Sequence, residues 1–308
     1  MPQPYKTLAS IAILIVLLAL ALFYLYNNFH EFKQLSLKNV YLLVPLIIIF
    51  LINYFFIGLA NVFILKPINV NLKFLEGFQL AIITGFYNLI TPFRGGMVAK
   101  AFYLNKKHDF PYTYFLSTIA ASYVLIFLIA GISGLITSYL IYNSIGKISL
   151  IILGIFLTAT ISMLGIIFFS PSLNETKYSL INRVIRVVNG WNLIKKNKKT
   201  IFLVTLLSLS QLLLSALMLY LQFKVFGIQI SYTSSLFLAS LGSLAIIIAI
   251  TPAGLGIQEA ITVFSALTLG ISPAESLAAV LIGRVISMLV LFILGPIFSV
   301  ILIKKKWL

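Results

Sequence analysis

The sequence predicts an all-α integral membrane protein with about six membrane-spanning helices, plus two broken, re-entrant half-helix pairs set in inverted repeats. Three observations predict it. First, 61% of the 308 residues are hydrophobic and only 9% are charged. Soluble domains carry roughly 25% charged residues, and the difference leaves too little polar surface to stay in water. The mean hydropathy of +1.11 agrees. Second, apolar runs recur that are long enough to cross a hydrocarbon core of about 30 Å. Third, two shorter apolar segments each end in Thr-Pro followed by a glycine pair, with Thr91 and Thr251 standing 160 residues apart.

The spans fall at residues 7–26, 40–65, 112–142, 148–169, 200–223 and 273–303. Ala19 and Ala21 in the first run fit a signal-cleavage pattern. The apolar stretch nevertheless continues to Tyr26 and only Lys6 precedes it, so a retained anchor is expected. Segment 74–90 meets Thr91, Pro92, Phe93, Arg94, Gly95 and Gly96, and a short run, 97–104, follows. Segment 236–250 meets Thr251, Pro252, Ala253, Gly254, Leu255 and Gly256, and another short run, 257–269, follows. Proline lacks the amide proton a helix needs, and glycine permits sharp turns. Each pair therefore reads as two half-helices that enter and leave on one side of the membrane. Non-helical backbone at that depth has to face protein or a wet cavity.

Charge placement supports this topology. Twenty-two Lys and Arg against six Asp and Glu give a formal net charge of +16. The basic residues are scattered between apolar runs, so they suggest membrane orientation rather than nucleic-acid binding. With a cytoplasmic amino terminus and both pairs re-entrant, most of them fall at inside ends and loops. Lys33, Lys38, Lys147 and Lys224 fall outside, and Arg94, Lys100 and Arg284 stay at membrane depth. If both first half-helices crossed instead, the basic linker at 171–199 would move outside, against the positive-inside rule. The chain thus reads as one polytopic domain over residues 1–308. It has a repeat unit at about 72–142, a basic amphipathic linker at about 171–199 and a second unit at about 232–303. Both termini are expected in the cytoplasm and the protein in the cell membrane. The linker can lie on anionic lipid or pack on the end of the bundle, and both readings stand. Lys304, Lys305, Lys306 and Trp307 read as an interfacial anchor.

A charge inside the bilayer costs roughly 2.5–3.5 kcal/mol on insertion scales, so these residues are functional candidates. Arg94 and Lys100 flank the first break, Glu259 opens the half-helix after the second, with Gln258 beside it, and Arg284 sits inside the last span. Three cations against one carboxylate make a basic site. The half-helix that starts near Gly95 and Gly96 would add free amides and a positive dipole end. Together they suit a phosphate, which Arg94 would hold in bidentate fashion and Lys100 as a point charge. Each residue also has a structural reading. Arg284 and Glu259 can form an ion pair between helices, Lys100 can snorkel to the interface, and Glu259 can carry a proton. Thr91, Pro92, Thr251, Pro252, Gly254 and Gly256 are assigned to the helix breaks. Glu76 and Glu275 are expected at helix starts, where a carboxylate complements the dipole.

Little in the sequence suggests catalysis. There is no cysteine, His30 and His108 are expected in surface loops, and no metal-ligand spacing, Walker loop or nucleophile elbow is present. No cofactor or metal is implied, and the chain is not expected to be an enzyme.

At its breaks the sequence resembles the flippase-like transmembrane region of the lysylphosphatidylglycerol synthase family. The first signature runs from Thr91 through Arg94, Gly95 and Gly96 to Lys100, and the second from Thr251 through Gly254, Gly256, Gln258 and Glu259 to Leu269–Glu275 and Arg284. It departs from the family pattern at Met97, where an acidic residue is common, and at Lys100, where arginine is. The resemblance implies movement of a lipid between leaflets, without the soluble aminoacyl-transferase half. Arg94, Lys100, Glu259 and Arg284 would line the headgroup cavity. The expected function is a lipid translocase for an anionic phospholipid or a polyprenyl-phosphate-linked lipid. The alternative is a membrane scaffold or accessory subunit for a glycosyltransferase or lipid-modifying enzyme.

Overall fold

Proline, glycine and short polar caps set where each helix starts and stops. In the computed structural model, which describes residues 35–174, 176–248, 251 and 254–304, helices joined by short loops make up the fold. A 3-10 turn, Val40–Leu42, leads into α1 (Leu43–Leu65). The first half-helix pair is α2 (Phe74–Ile90) and α3 (Gly95–His108), joined through a 3-10 turn, Pro92–Arg94. There follow α4 (Tyr112–Ile145), α5 (Leu150–Phe169), α6 (Ser179–Lys196) and α7 (Lys198–Val225). The second pair is α8 (Tyr232–Leu244), prolonged by a 3-10 turn, Ala245–Ile248, and α9 (Ile257–Leu267). The long α10 (Pro273–Lys304) follows.

Among the described residues five helices are long and apolar enough to cross a membrane: Val40–Ile68, Tyr112–Ile145, Leu150–Phe169, Lys198–Val225 and Pro273–Leu302. They coincide with the five expected spans in that part of the chain. The span expected at 7–26, His30, Lys33, Pro252 and the residues after Lys304 lie outside the described residues. Local chemistry explains the ends. Asn197 accepts the Thr200 amide at 3.0 Å to start α7, and Ser231 accepts the Ser234 amide at 3.0 Å to start α8. Ser272 and Glu275 form a reciprocal capping box at the start of α10, at 3.3 and 3.0 Å. Gly146, with φ +72°, closes α4. The segment expected at 236–250 instead begins at Tyr232, because Ser231 caps it, and tightens to 3-10 after Leu244 as it approaches Thr251.

Hydrogen bonds fix the two ends of the bundle. α1 and α7 run antiparallel: Asn39 Nδ2 donates to Lys224 O at 2.7 Å at one end, and Thr200 Oγ1 to Phe63 O at 3.5 Å at the other. Lys38 and Lys224 therefore share one end, while Lys66, Lys198 and Lys199 share the opposite one. The α2–α3 pair opens at the Lys66 end. There Glu76, in the first turn of α2, lies 3.0 Å from Lys107 Nζ and 2.9 Å from His108 Nε2, at the close of α3. The α8–α9 pair opens at the Lys224 end. Ile228 and Ile230 before α8 and Ile271 after α9 join Ile141, Ile152 and Phe223 in one buried cluster. Each first half-helix also packs along the long helix of the other unit, α2 on α10 and α8 on α4. The two hairpins thus enter from opposite ends and their tips meet in the middle.

One expectation is corrected here, and one open choice is decided. His108 is not in a surface loop; it ends α3 and is held by Glu76. The linker helix α6 turns its apolar face to protein. Ile185, Trp191 and Ile194 are buried, Trp191 Nε1 donates to Ser170 Oγ at 2.9 Å, and Gly190 lets the helix close on Ser117. Of the two readings of the linker, the packed connector is the one the structure adopts. Exposed Leu150, Ile151, Phe168 and Phe169 leave α5 with an apolar outer face, which only lipid can cover favourably in a monomer.

Candidate functional site

The first break is built by backbone that a helix cannot use. Thr91 is extended, and both its amide and its hydroxyl donate to Tyr87 O. Pro92 has no amide to continue the ladder. Phe93 and Arg94 then both adopt left-handed conformations, with φ 52° and 57°. Such residues cost about 1–3 kcal/mol each and persist only where surrounding contacts hold them. Here the contact is Tyr123 of α4: Arg94 Nη1 donates to its hydroxyl, and the guanidinium stands 5.7 Å from the ring centre.

Gly95 and Gly96 restart the helix, and close approach explains them. A Cβ on Gly96 would stand 1.9 Å from Thr84 O, and one on Gly95 would stand 2.3 Å from Thr91 Oγ1. The Gly96 amide donates to Asn88 Oδ1 at 2.9 Å. The expectation that this helix start offers free amides to an anion is therefore corrected at Gly96, whose amide is already bonded. The positive charge at this break is carried by the side chains of Arg94 and Lys100.

Lys100 does not reach out to the interface. Its Nζ donates to Asn61 Oδ1 of α1 at 2.6 Å and lies 5.9 Å from the Phe115 ring centre. Arg94 and Lys100 line one cavity of about 330 Å³ together with Thr84, Asn88, Ser122, Tyr123 and Gln211. None of its described lining residues is Asp or Glu. Two cations thus face one chamber without a carboxylate, and such a chamber attracts an anion.

The second break is neutral by construction. Thr251 is buried, its hydroxyl donates to Leu255 O at 2.8 Å, and its carbonyl accepts the Gly254 amide at 2.9 Å. Gly254 and Gly256 have φ +68° and +81°, which side chains with a Cβ rarely adopt. Glu259, in the first turn of α9, accepts the Gly256 amide at 2.8 Å with one oxygen and Arg284 Nε with the other. Arg284 Nη2 also donates to Gln258 Oε1 at 3.0 Å. Of the readings open for Glu259 and Arg284, the geometry forms the ion pair between helices, and the carboxylate also satisfies the helix start. The unbalanced positive charge therefore sits at the first break.

Three neighbouring cavities lie about the two breaks. Between the basic chamber and the second break lies a space of about 220 Å³, lined by Asn88, Arg94, Gly254, Gln258 and Arg284 among others. Beyond it a third cavity of about 340 Å³ is lined by Asn53, Ser215, Gln222, Gln258, Thr262 and Arg284 among others. Tyr54 and Ile246 line all three. The structure thus brings Arg94, Gln258 and Arg284 to one central space, with Lys100 in the chamber next to it.

Sequence reasoning missed the neutral polar lining. Asn53 and Asn61 on α1 stand eight residues apart, and Ser208, Gln211, Ser215 and Gln222 on α7 fall three, four and seven apart. Those intervals place each set on one face of its helix. Polar residues at helical spacing within an apolar span were the available signal. Among the described residues no group of three His, Asp or Glu side chains converges as a metal site.

A family model described as the lysylphosphatidylglycerol synthase TM region matches residues 8–295. A UPF0104 membrane protein of Methanocaldococcus jannaschii is 27% identical over 273 residues, with 79% of each chain covered.

Proposed function

Because the chain belongs to the lysylphosphatidylglycerol synthase TM region family, we propose that it is a flippase-like lipid translocase. It moves an anionic phospholipid or a polyprenyl-phosphate-linked lipid between leaflets. The observation that carries this reading is the chamber lined by both Arg94 and Lys100, with no carboxylate among its described lining residues. A phosphate supplies the missing negative charge and accepts charge-assisted hydrogen bonds from both. The lipid tails stay in the bilayer while the headgroup crosses through the three neighbouring cavities.

The opposed hairpins support the same reading. Their tips meet at Tyr54, Arg94, Gln258 and Arg284, and inverted units with broken helices are a recurring plan for alternating access. Rocking one unit against the other would expose the central space to either end. We place the Lys66 end in the cytoplasm, because Lys66, Lys106, Lys107, Lys196, Lys198 and Lys199 gather there, whereas Lys38, Lys147 and Lys224 mark the opposite end. Together with the span expected at 7–26, this orientation is the one that would leave both termini in the cytoplasm of a cell-membrane protein. No chemical step is assigned to the chain.

Reconstitution into liposomes with labelled lipids tests the proposal. Wild-type protein is expected to move phosphatidylglycerol faster than empty vesicles do. Replacing Arg94 by Gln and Lys100 by Met together is expected to slow it roughly a hundredfold to ten-thousandfold, as two charge-assisted bonds worth about 1.5–3 kcal/mol each are lost. Transport at the empty-vesicle rate refutes the reading. Stable copurification with a glycosyltransferase, together with indifference to both substitutions, would favour the accessory-subunit alternative.

A further inference from the structure

The third cavity differs in chemistry from the basic chamber. Its described polar lining includes the amides Asn53, Gln222 and Gln258 and the hydroxyls of Tyr54, Ser215, Ser243, Thr262 and Ser287, and its one described cation, Arg284, is paired with Glu259. Gln222 is 7% exposed, yet its side chain makes no hydrogen bond to another described residue. Asn53 Nδ2 donates to Ser215 Oγ at 3.1 Å, while Asn53 Oδ1 is buried with no partner. Turning the Asn53 amide over would only exchange which of its two atoms is orphaned.

A buried polar atom left unpaired costs about 1–3 kcal/mol. The unmet Asn53 Oδ1 and the Gln222 amide beside this polar cavity therefore point to an occupant that pairs with them. A phosphate accepts only and leaves the amide oxygens unmet. An ammonium donates only and leaves the amide nitrogens unmet, and it would lie beside Arg284. A hydroxyl both donates and accepts, so a group bearing several of them meets both halves of each amide. We propose that this cavity is a binding subsite for a neutral, hydroxyl-rich group, either the glycerol or the sugar of a lipid headgroup. It selects such lipids over those that carry phosphate alone. This deepens the translocase reading and rests on it where the lipid also carries a phosphate.

The test compares binding to the purified full chain, held in an amine-oxide detergent because sugar-headed detergents would compete. The probes share their acyl chains: phosphatidic acid, phosphatidylglycerol, phosphatidylinositol and an uncharged monoglucosyl diacylglycerol. Wild type is expected to favour at least one hydroxylated headgroup over phosphatidic acid by roughly tenfold, the scale of one or two net hydrogen bonds. Preference for phosphatidylglycerol alone identifies glycerol, and preference for the inositol or glucosyl lipid identifies a ring. Gln222→Met, nearly isosteric, is expected to abolish the preference, with the hydroxylated lipids falling to the level of phosphatidic acid. Equal binding of all phosphate lipids by wild type overturns the subsite, as does a preference that survives both Gln222→Met and Asn53→Leu. Failure of every phosphate lipid, with binding of the glucosyl lipid that depends on Gln222, overturns the phosphate reading instead and leaves the subsite standing.

Discussion

Gly96→Ala separates packing from ligand contact at the first break. The added Cβ would stand 1.9 Å from Thr84 O and 2.7 Å from Asn88 Oδ1. A carbon needs roughly 3.5 Å, so α3 must move off α2 by about 1.5 Å. Overpacking of this kind costs about 1–3 kcal/mol, and parting the Gly96 amide from Asn88 adds about 1 kcal/mol. Alanine returns up to about 1 kcal/mol of helix propensity, which leaves a net loss of about 2 kcal/mol. Gly154, on the outer helix α5, is the control, because a Cβ there meets nothing within 4 Å. Gly154→Ala is expected to be neutral or to stabilise by up to about 1 kcal/mol. Thermal unfolding of the two variants in one detergent, followed by circular dichroism, reads the difference as several degrees. If Gly96→Ala unfolds no earlier than Gly154→Ala, close helix approach is not the reason for the glycine. A ligand role for the backbone would then return.

The other tests concern pairs and faces. Glu259→Gln leaves Arg284 without its carboxylate and weakens the start of α9, so it should destabilise by about 3–5 kcal/mol. Adding Arg284→Met should recover much of that loss in the same unfolding assay, and additive losses would count against the pair. Trp191→Ala should cost about 3–5 kcal/mol, because the indole is buried against the bundle. Leu193→Ala on the exposed face should cost under about 1 kcal/mol, and equal costs would place α6 off the protein.

The amount legible in the sequence differed from feature to feature. The five described spans could be read because a hydrocarbon core demands an unbroken apolar run, and such a run needs no knowledge of its neighbours. Both breaks could be read for the same local reason: Pro92 cannot donate, and Gly254 and Gly256 take positive φ. The limits of α8 were less legible, since Ser231 as a cap and the 3-10 turn after Leu244 depend on which competing local bond wins. His108 was misplaced because its partner, Glu76, is 32 residues away.

The sequence by itself determined that the chain lives in a membrane, where it bends twice, and that its basic excess includes three residues at depth. Those facts follow from composition and from backbone chemistry at single positions. Only the tertiary structure decided how the charges are used. Pairing Glu259 with Arg284 neutralises one break, and Lys100 reaching Asn61 holds the other cation in a chamber without a carboxylate. The tertiary structure also closed the Gly96 amide with Asn88, turned α6 inward, and left Asn53 Oδ1 without a partner among the described residues. The physical reason is that charge balance and hydrogen-bond satisfaction are properties of neighbours in space. Residues 8 to 162 apart in the chain make these contacts.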